Sequence, residues 1–456
     1  MKIQKWSRLA RLLFSIGMLT LVVSLIAQAA PNNIIRVSVA SDGTEGNAHS
    51  YTPDISDDGR YVTFFSGASN LVNGDTNGAS DIFVYDTQAG TPTRVSVASD
   101  GTEANGNADI GPAISAGGRY VAFFSVASNL VSGDTNGRAD IFVHDLQSGA
   151  TTRASVASDG TQANDQSNEP PAISADGRYV AFFSYATNLV SGDTNWVPDV
   201  FVHDTETGVT IRASVTSDGI EGNNTSEQPA ISADGRYVAF VSLASNLASG
   251  DTNDLFDVYL HDMQDGTTSR ISVASDGAGG NGGSFNPALS ADGRYVAFES
   301  EASNLVSGDT NGVVDVFVHD TQTGTTTRVS LAADGTEGNG RSVAPAISAN
   351  GRYVTFSSFA SNLISGDTNG AADVFVYDTQ TGAVTRVSLP ADGTEGNGDS
   401  SDPAMSADGR HIAFSSIAFN LVVGDTNPGS DIFVVDNHSA SPTVEIYLPI
   451  IVRSSP

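Results

Sequence analysis

The feature that most constrains this chain is a period. The glycine of an Asp-Gly-Arg turn, or a close variant of it, recurs at Gly59, Gly118, Gly177, Gly235, Gly293, Gly351 and Gly409, at intervals of 58 or 59 residues. A second series, the arginine of an R-x-S motif, runs Arg36, Arg94, Arg153, Arg212, Arg270, Arg328 and Arg386 in step with the first. Self-similarity at a fixed period marks a repeat architecture, in which each unit buries its apolar face only against its neighbours. The two series interleave so closely that no non-repetitive domain fits between them.

One unit reads from Pro171 to Gly219. Pro171-Ala172-Ile173-Ser174 predicts a short strand of small residues. Asp176-Gly177 suits the left-handed backbone of a tight hairpin, and Gly117-Gly118 and Asn350-Gly351 satisfy the same geometry in other copies. Arg178 to Ser184 is nearly continuous in apolar and aromatic residues, as a strand covered on both faces should be. A loop leads to a third strand, Asp199 to Asp204, and Thr207-Gly208 turns the chain into a polar fourth strand from Thr210 to Val215. Four antiparallel strands per repeat, small on the first and polar on the last, predict an all-β fold: a seven-bladed β-propeller whose first strands line the axis. The R-x-S strand Ile34 to Val39 precedes any blade core, while Ile432 to Val435 is the last third strand. The N-terminal strand is therefore expected to complete the seventh blade and remove the exposed sheet edge. Thr443 to Leu448 is a rival for that place, but lacks the arginine.

The motif S-A-D-G-R-Y-V-A-F followed by D-V-F-V-H-D resembles the TolB-type WD40-like (PD40) repeat. The resemblance spans all seven copies and implies the propeller fold. It implies little about activity, because such propellers serve as docking platforms, substrate gates and enzyme scaffolds alike. The additional α/β domain of TolB and the hydrolase domain of prolyl oligopeptidases have no counterpart in the repeats, so their contacts and catalysis do not carry over.

The first 29 residues read as a signal peptide. Lys2, Lys5, Arg8 and Arg11 precede an apolar run from Leu12 to Ile26, and Ala27-Gln28-Ala29 supplies a small-x-small cleavage site. The expected organisation is a leader over 1–29, the propeller over 30–436 and a tail over 437–456. The expected location is periplasmic, cell-envelope or secreted, with no membrane span once the leader is cleaved. The net charge of −31 becomes −35 without the four basic leader residues, and both lysines go with them. Such a charge disfavours nucleic acid and anionic membranes, and favours cations and solubility as a monomer. The absence of cysteine excludes disulfides, thiolate metal sites and a cysteine nucleophile.

Propeller topology sends the tight Asp-Gly and Thr-Gly turns to one face and the long loops to the other. The long loop between the second and third strands carries N-L-x-x-G-D-T-N-x-x-x-D. Its first aspartates are Asp75, Asp134, Asp193, Asp251, Asp309, Asp367 and Asp425. Its asparagines are Asn77, Asn136, Asn195, Asn253, Asn311, Asn369 and Asn427. Its second aspartates are Asp81, Asp140, Asp199, Asp257, Asp315, Asp373 and Asp431. Calcium takes six to eight hard oxygen ligands, and D-x-N with a later aspartate resembles the start of a calcium loop. These residues are the candidate metal ligands, and calcium the candidate cofactor. The competing reading is turn chemistry, since Asp and Asn also stabilise loops through their own backbone.

The loop between blades reads S-D-G-T-E-G-N in its fullest form, with glutamate replaced at Gln162 and Gly279. It is either a solvated acidic loop or a ring of acids at the channel mouth. His144, His203, His261 and His319 share a third-strand slot with Tyr85, Tyr377 and Val435, which points to packing. No nucleophile elbow, zinc-protease motif or phosphate loop is present, and no catalytic residue is assigned. The expected function is non-catalytic binding of a protein or polysaccharide. The alternatives are a carbohydrate-active enzyme, such as a metal-assisted lyase or hydrolase, and a structural envelope protein. An enzyme needs unlike residues in one place; Trp196, Phe256, Phe285 and Arg341 depart from the repeat and are the nearest candidates.

Overall fold

The computed structural model describes residues 33–437. The expected leader with its boundary to the propeller, and the tail beyond Asn437 with its rival strand, lie outside the described residues. Seven four-stranded antiparallel sheets form a ring of blades, numbered here from the one that opens at Ser50. Blade 3 pairs Ala172–Ile173, Tyr179–Ser184, Asp199–Asp204 and Thr210–Arg212 in that order. The seventh blade takes its outermost strand from the other end of the chain. Ile34–Arg36 pairs antiparallel with Asp431–Asp436, placing Ile35 opposite Val434. The N-terminal strand thus closes the ring.

The core lies between blades rather than within them. Apolar side chains alternate to both faces of the second and third strands, so each cluster straddles two neighbours. One such cluster joins Phe124 and Ile141 of blade 2 to Val180, Phe182 and Phe201 of blade 3. Each blade also carries a pair of packed rings, such as Phe123 and Phe142 at 5.8 Å between centroids. Burial of each ring contributes on the order of 2–3 kcal/mol.

Neighbouring blades are latched at the tight-turn face. The Tyr120 ring lies against Gly177 of the next blade; a Cβ on that glycine would sit 2.1 Å from the ring. Arg119 stacks on the same ring, 4.7 Å from its centroid, and forks onto Asp145 with bonds of 2.9 and 2.8 Å. Nearer the axis, the backbone N–H of Asp57 donates to Ala116, Ala116 to Ala175, and so on through Ala233, Ala291, Ala349 and Ala407 back to Asp57, at 2.9 to 3.3 Å. This belt of seven bonds cinches one end of the axis.

The first strands differ from the short segments expected. In five blades they run six residues and contain a bulge, between Tyr51 and Asp54 in blade 1 for example. Thr52, Gln228, Asn286, Ala344 and Asp402 take positive φ there, each just before a proline that has no N–H to pair. Blades 2 and 3 contain one additional residue, the origin of the two 59-residue intervals, and their first strands shrink to Ala113–Ile114 and Ala172–Ile173. Blade 3 has Pro170 in the bulge slot, and the proline ring cannot adopt positive φ.

Candidate functional site

The aspartates singled out by sequence come together in every blade, around an arginine. In blade 1, Arg94 Nη1 lies 3.3 Å from Asp75, 3.2 Å from Asp81 and 3.0 Å from Glu103 of the loop to the next blade. Asp81 is fully buried and also accepts the Ser96 hydroxyl at 2.5 Å. The R-x-S motif and the D-x-N-x-x-x-D loop are therefore two halves of one cage. Glu103 is anchored by the N–H and hydroxyl of Thr76, and those bonds hold its carboxyl below the usual range. The seventh cage is built across the closure: Arg36 lies 3.1 Å from Asp425, 3.2 Å from Asp431 and 3.0 Å from Glu45.

The asparagines play another part. Asn77 turns its amide N–H groups to Asp81 and the Ala104 carbonyl, while its oxygen accepts the Ala79 N–H at 2.8 Å. Asn195, Asn253, Asn311 and Asn427 repeat the bond to the second aspartate and to the next loop. Asn136 and Asn369 bond the next loop alone, through Ala163 and Gly396.

Five cages hold three carboxylates against one guanidinium. Burial, with the neighbouring aspartate second, pushes Asp193, Asp367 and Asp425 up to about 6. The two cages without glutamate supply a neutral donor instead. Gln162 donates to Asp134 at 2.9 Å, and the Tyr259 hydroxyl, in a slot held elsewhere by phenylalanine, donates to Asp251 at 2.6 Å. Among the described residues, Asp367, Asp373 and Glu395 form a candidate metal-binding cluster, with one oxygen of each within 4.8 Å of the others. Arg386 already reaches Asp373 at 2.8 Å and Glu395 at 3.0 Å, so an ion would compete with it for the same oxygens.

Polar side chains of one blade are tied to the bulge of the next. Glu169 accepts the Gln228 N–H at 2.9 Å, Gln228 accepts the Asn286 N–H at 2.8 Å, and Glu299 accepts the Ala344 N–H at 2.7 Å. Each of these side chains satisfies a backbone donor that the bulge of the next blade leaves unpaired. Glu169 and Gln228 border an axial cavity of about 430 Å³ with a collar of prolines. Burial raises both Glu169 and Glu299 above the usual carboxylate range.

A different surface carries the asymmetry. The segment N-L-x-x-G-D-T-N is the same in all seven copies, and so is the exposed Asp-Gly of the inter-blade loop. Three slots diverge, the first and third of them completely and the second into four residue types. Before the first strand stand His49, Asn107, Gln166, Thr225, Gly283, Arg341 and Asp399. In the second strand stand Phe65, Phe124, Phe183, Val241, Glu299, Ser357 and Ser415, and two residues on Gly67, Val126, Tyr185, Leu243, Glu301, Phe359 and Ile417. The backbone joins the first and third slots in every blade, as in the bond from Tyr185 N–H to the Gln166 carbonyl at 3.0 Å. The divergent slots thus form one inner rim on the long-loop face.

Of the four residues that sequence singled out, Phe256 and Phe285 meet at this rim with centroids 5.5 Å apart. Arg341 stacks on Phe359 at 5.1 Å. Trp196 stands on an outer loop, 83% exposed. Sequence reasoning missed Phe359 and Glu299, whose signal was available: each breaks a slot that a column-by-column comparison of the copies exposes. The four histidines are buried, each with Nδ1 against a threonine hydroxyl, as His144 against Thr151 at 2.9 Å. They belong to the packing.

The closed ring, the blade order and the rim define a seven-bladed β-propeller. Solved structures share this fold. An oligogalacturonate lyase from Vibrio parahaemolyticus superposes with a TM-score of 0.53 at 13% identity, over 90% of this chain and 94% of that one. The propeller domain of the Trilobed protease from Pyrococcus furiosus gives 0.53 at 11% identity, over 86% and 96%. TolB from Acinetobacter baumannii gives 0.42 at 16%, over 79% and 67%. At such identities the likeness concerns the fold alone. No protein-family model and no curated protein sequence matches the chain.

Proposed function

We propose that the protein is an exported, non-catalytic binding propeller whose ligand meets the inner rim of the long-loop face. One observation carries this reading: the copies diverge together along the inner rim, in part at positions where exposure does not explain it. Phe183, Val241, Glu299 and Ser357 occupy one divergent slot and are all buried, whereas the exposed Asp-Gly turns are the same in every copy. Packing alone would keep equivalent interior positions alike, while recognition of an asymmetric ligand requires them to differ. Leader residues 1–29 would direct export.

The test replaces exposed rim residues with those another copy carries, as Arg341→Thr and Phe359→Leu together, and screens protein and glycan arrays. The expected result is loss of a ligand that the parent binds, with an unchanged melting temperature. Retention of every parental ligand by the variant would count against the rim.

The cages are the place for a cation in this reading, calcium on grounds of hard-oxygen chemistry. Metal analysis, with melting in millimolar calcium and in manganese, tests it, and a melting temperature indifferent to both removes the metal. A metal-assisted carbohydrate-active enzyme is the second reading. It rests on the Asp367, Asp373 and Glu395 cluster and on an oligogalacturonate lyase of like fold, solved in complex with manganese. Turnover of a glycan that disappears with Asp373→Asn would favour it over binding alone.

A further inference from the structure

Trp196 occupies a slot where four other copies have glycine. Gly78, Gly137, Gly312 and Gly370 have φ of 63 to 68°, and a Cβ on any of them would meet no atom within 4 Å. Trp196 takes the same left-handed backbone, at φ 58°. A side chain in that region costs about 1–2 kcal/mol, and an indole standing in solvent returns little of it to the fold. The loop beneath is fastened to the linker that follows blade 3: Thr194 N–H donates to Glu221 at 3.0 Å and the Asn195 amide to the Gly222 carbonyl at 2.9 Å. On that linker stands Ile220, 59% exposed, where the other copies have threonine or alanine. Two apolar departures from the repeat are thereby held on two loops bonded to each other.

The surrounding charge selects what can cover them. Asp218 is exposed beside Ile220, and Glu221 lies between the loops. Every described arginine except Arg341, which stacks on Phe359, is already paired with a carboxylate, and the only lysines are Lys2 and Lys5. This face can offer a partner negative charge and almost no positive charge. A polyanion is therefore repelled and a polycation drawn in.

We propose that Trp196 and Ile220 anchor a basic polypeptide, with an apolar side chain of the partner against the indole and its lysines or arginines toward Asp218 and the neighbouring Asp-Gly turns. The inference does not depend on the inner rim, which other residues build. The full chain carrying Trp6→Phe keeps Trp196 as its sole tryptophan and reports on contact by fluorescence. The probes are a synthetic peptide of alternating lysine and leucine, an all-lysine peptide and a neutral cello-oligosaccharide, each at physiological salt. The lysine–leucine peptide should shift Trp196 emission to the blue. In calorimetry, Trp196→Gly and Ile220→Thr should each bind that peptide at least about tenfold more weakly, roughly 1.4 kcal/mol. Both variants restore the residue of other copies and should melt no lower than the parent. Undiminished binding by both variants, a shift produced by the oligosaccharide in place of the peptide, or no shift with any probe overturns the proposal.

Discussion

Arg212 and Arg270 sit in equivalent cages of unequal charge. Arg212 balances Asp193, Asp199 and Glu221; Arg270 balances Asp251 and Asp257, with Gly279 in the glutamate slot. Removing one partner of a buried pair leaves uncompensated charge and costs about 3–5 kcal/mol. Arg212→Ala should therefore lower the melting temperature markedly, and Arg270→Ala less, by differential scanning calorimetry at pH 7. Millimolar calcium or manganese should restore part of the loss in Arg212→Ala if the emptied cage takes an ion. Asp54 makes a second prediction. It accepts the N–H groups of Ile114 and Ile55, and burial pushes it up to about 6. A carboxyl whose folded value lies above its unfolded one binds its proton more tightly in the fold, so it favours folding below pH 4 and loses that contribution as pH rises through 6. Between pH 7 and 5 the parent should gain more in melting temperature than Asp54→Asn. The four histidines act in the opposite direction, since burial lowers them and the unfolded chain takes up their protons below pH 6.5. Equal pH slopes in parent and variant would refute the assignment to Asp54.

At the scale of the element, two glycines of blade 3 have the same backbone and different neighbours. Gly177 and Gly208 both have positive φ, 79 and 73°. A Cβ on Gly208 meets nothing within 4 Å, whereas on Gly177 it strikes Tyr120 of the preceding blade. Gly208→Ala should cost only the backbone term, about 1 kcal/mol, and Gly177→Ala several times that in urea unfolding, because the latch must open as well. Comparable losses would mean that the tyrosine contact contributes little. The turn residues were legible in the sequence because Asp-Gly has one favoured geometry. The first strands were less so. Their length depends on a bulge that one additional residue abolishes, and a two-residue strand differs from a six-residue one by pairing with a neighbour rather than by local preference.

At the scale of the molecule, the ring depends on a contact between its ends. Ser38 donates to Asp431 at 2.6 Å across 393 residues, and Arg36 to the same carboxylate across 395. A circular permutant opened between Asp42 and Gly43, with residue 437 linked to residue 33, would make blade 7 contiguous. It should melt within a few degrees of the parent and refold faster in stopped-flow measurements, since the closing contact becomes local. An unchanged rate would show that closure does not limit folding. The sequence by itself determined the number of blades, the strand order, the sorting of loops between two faces and the closing strand. These follow from periodicity and turn chemistry, which are local. Only the tertiary structure decided that the R-x-S arginine stands among the loop aspartates, that Glu169 and Glu299 serve the bulges of the next blade, and that the divergent slots converge on one rim. Those facts rest on residues far apart in the chain meeting across sheets, and the distance between them is set by the curvature of the ring rather than by any spacing in the chain.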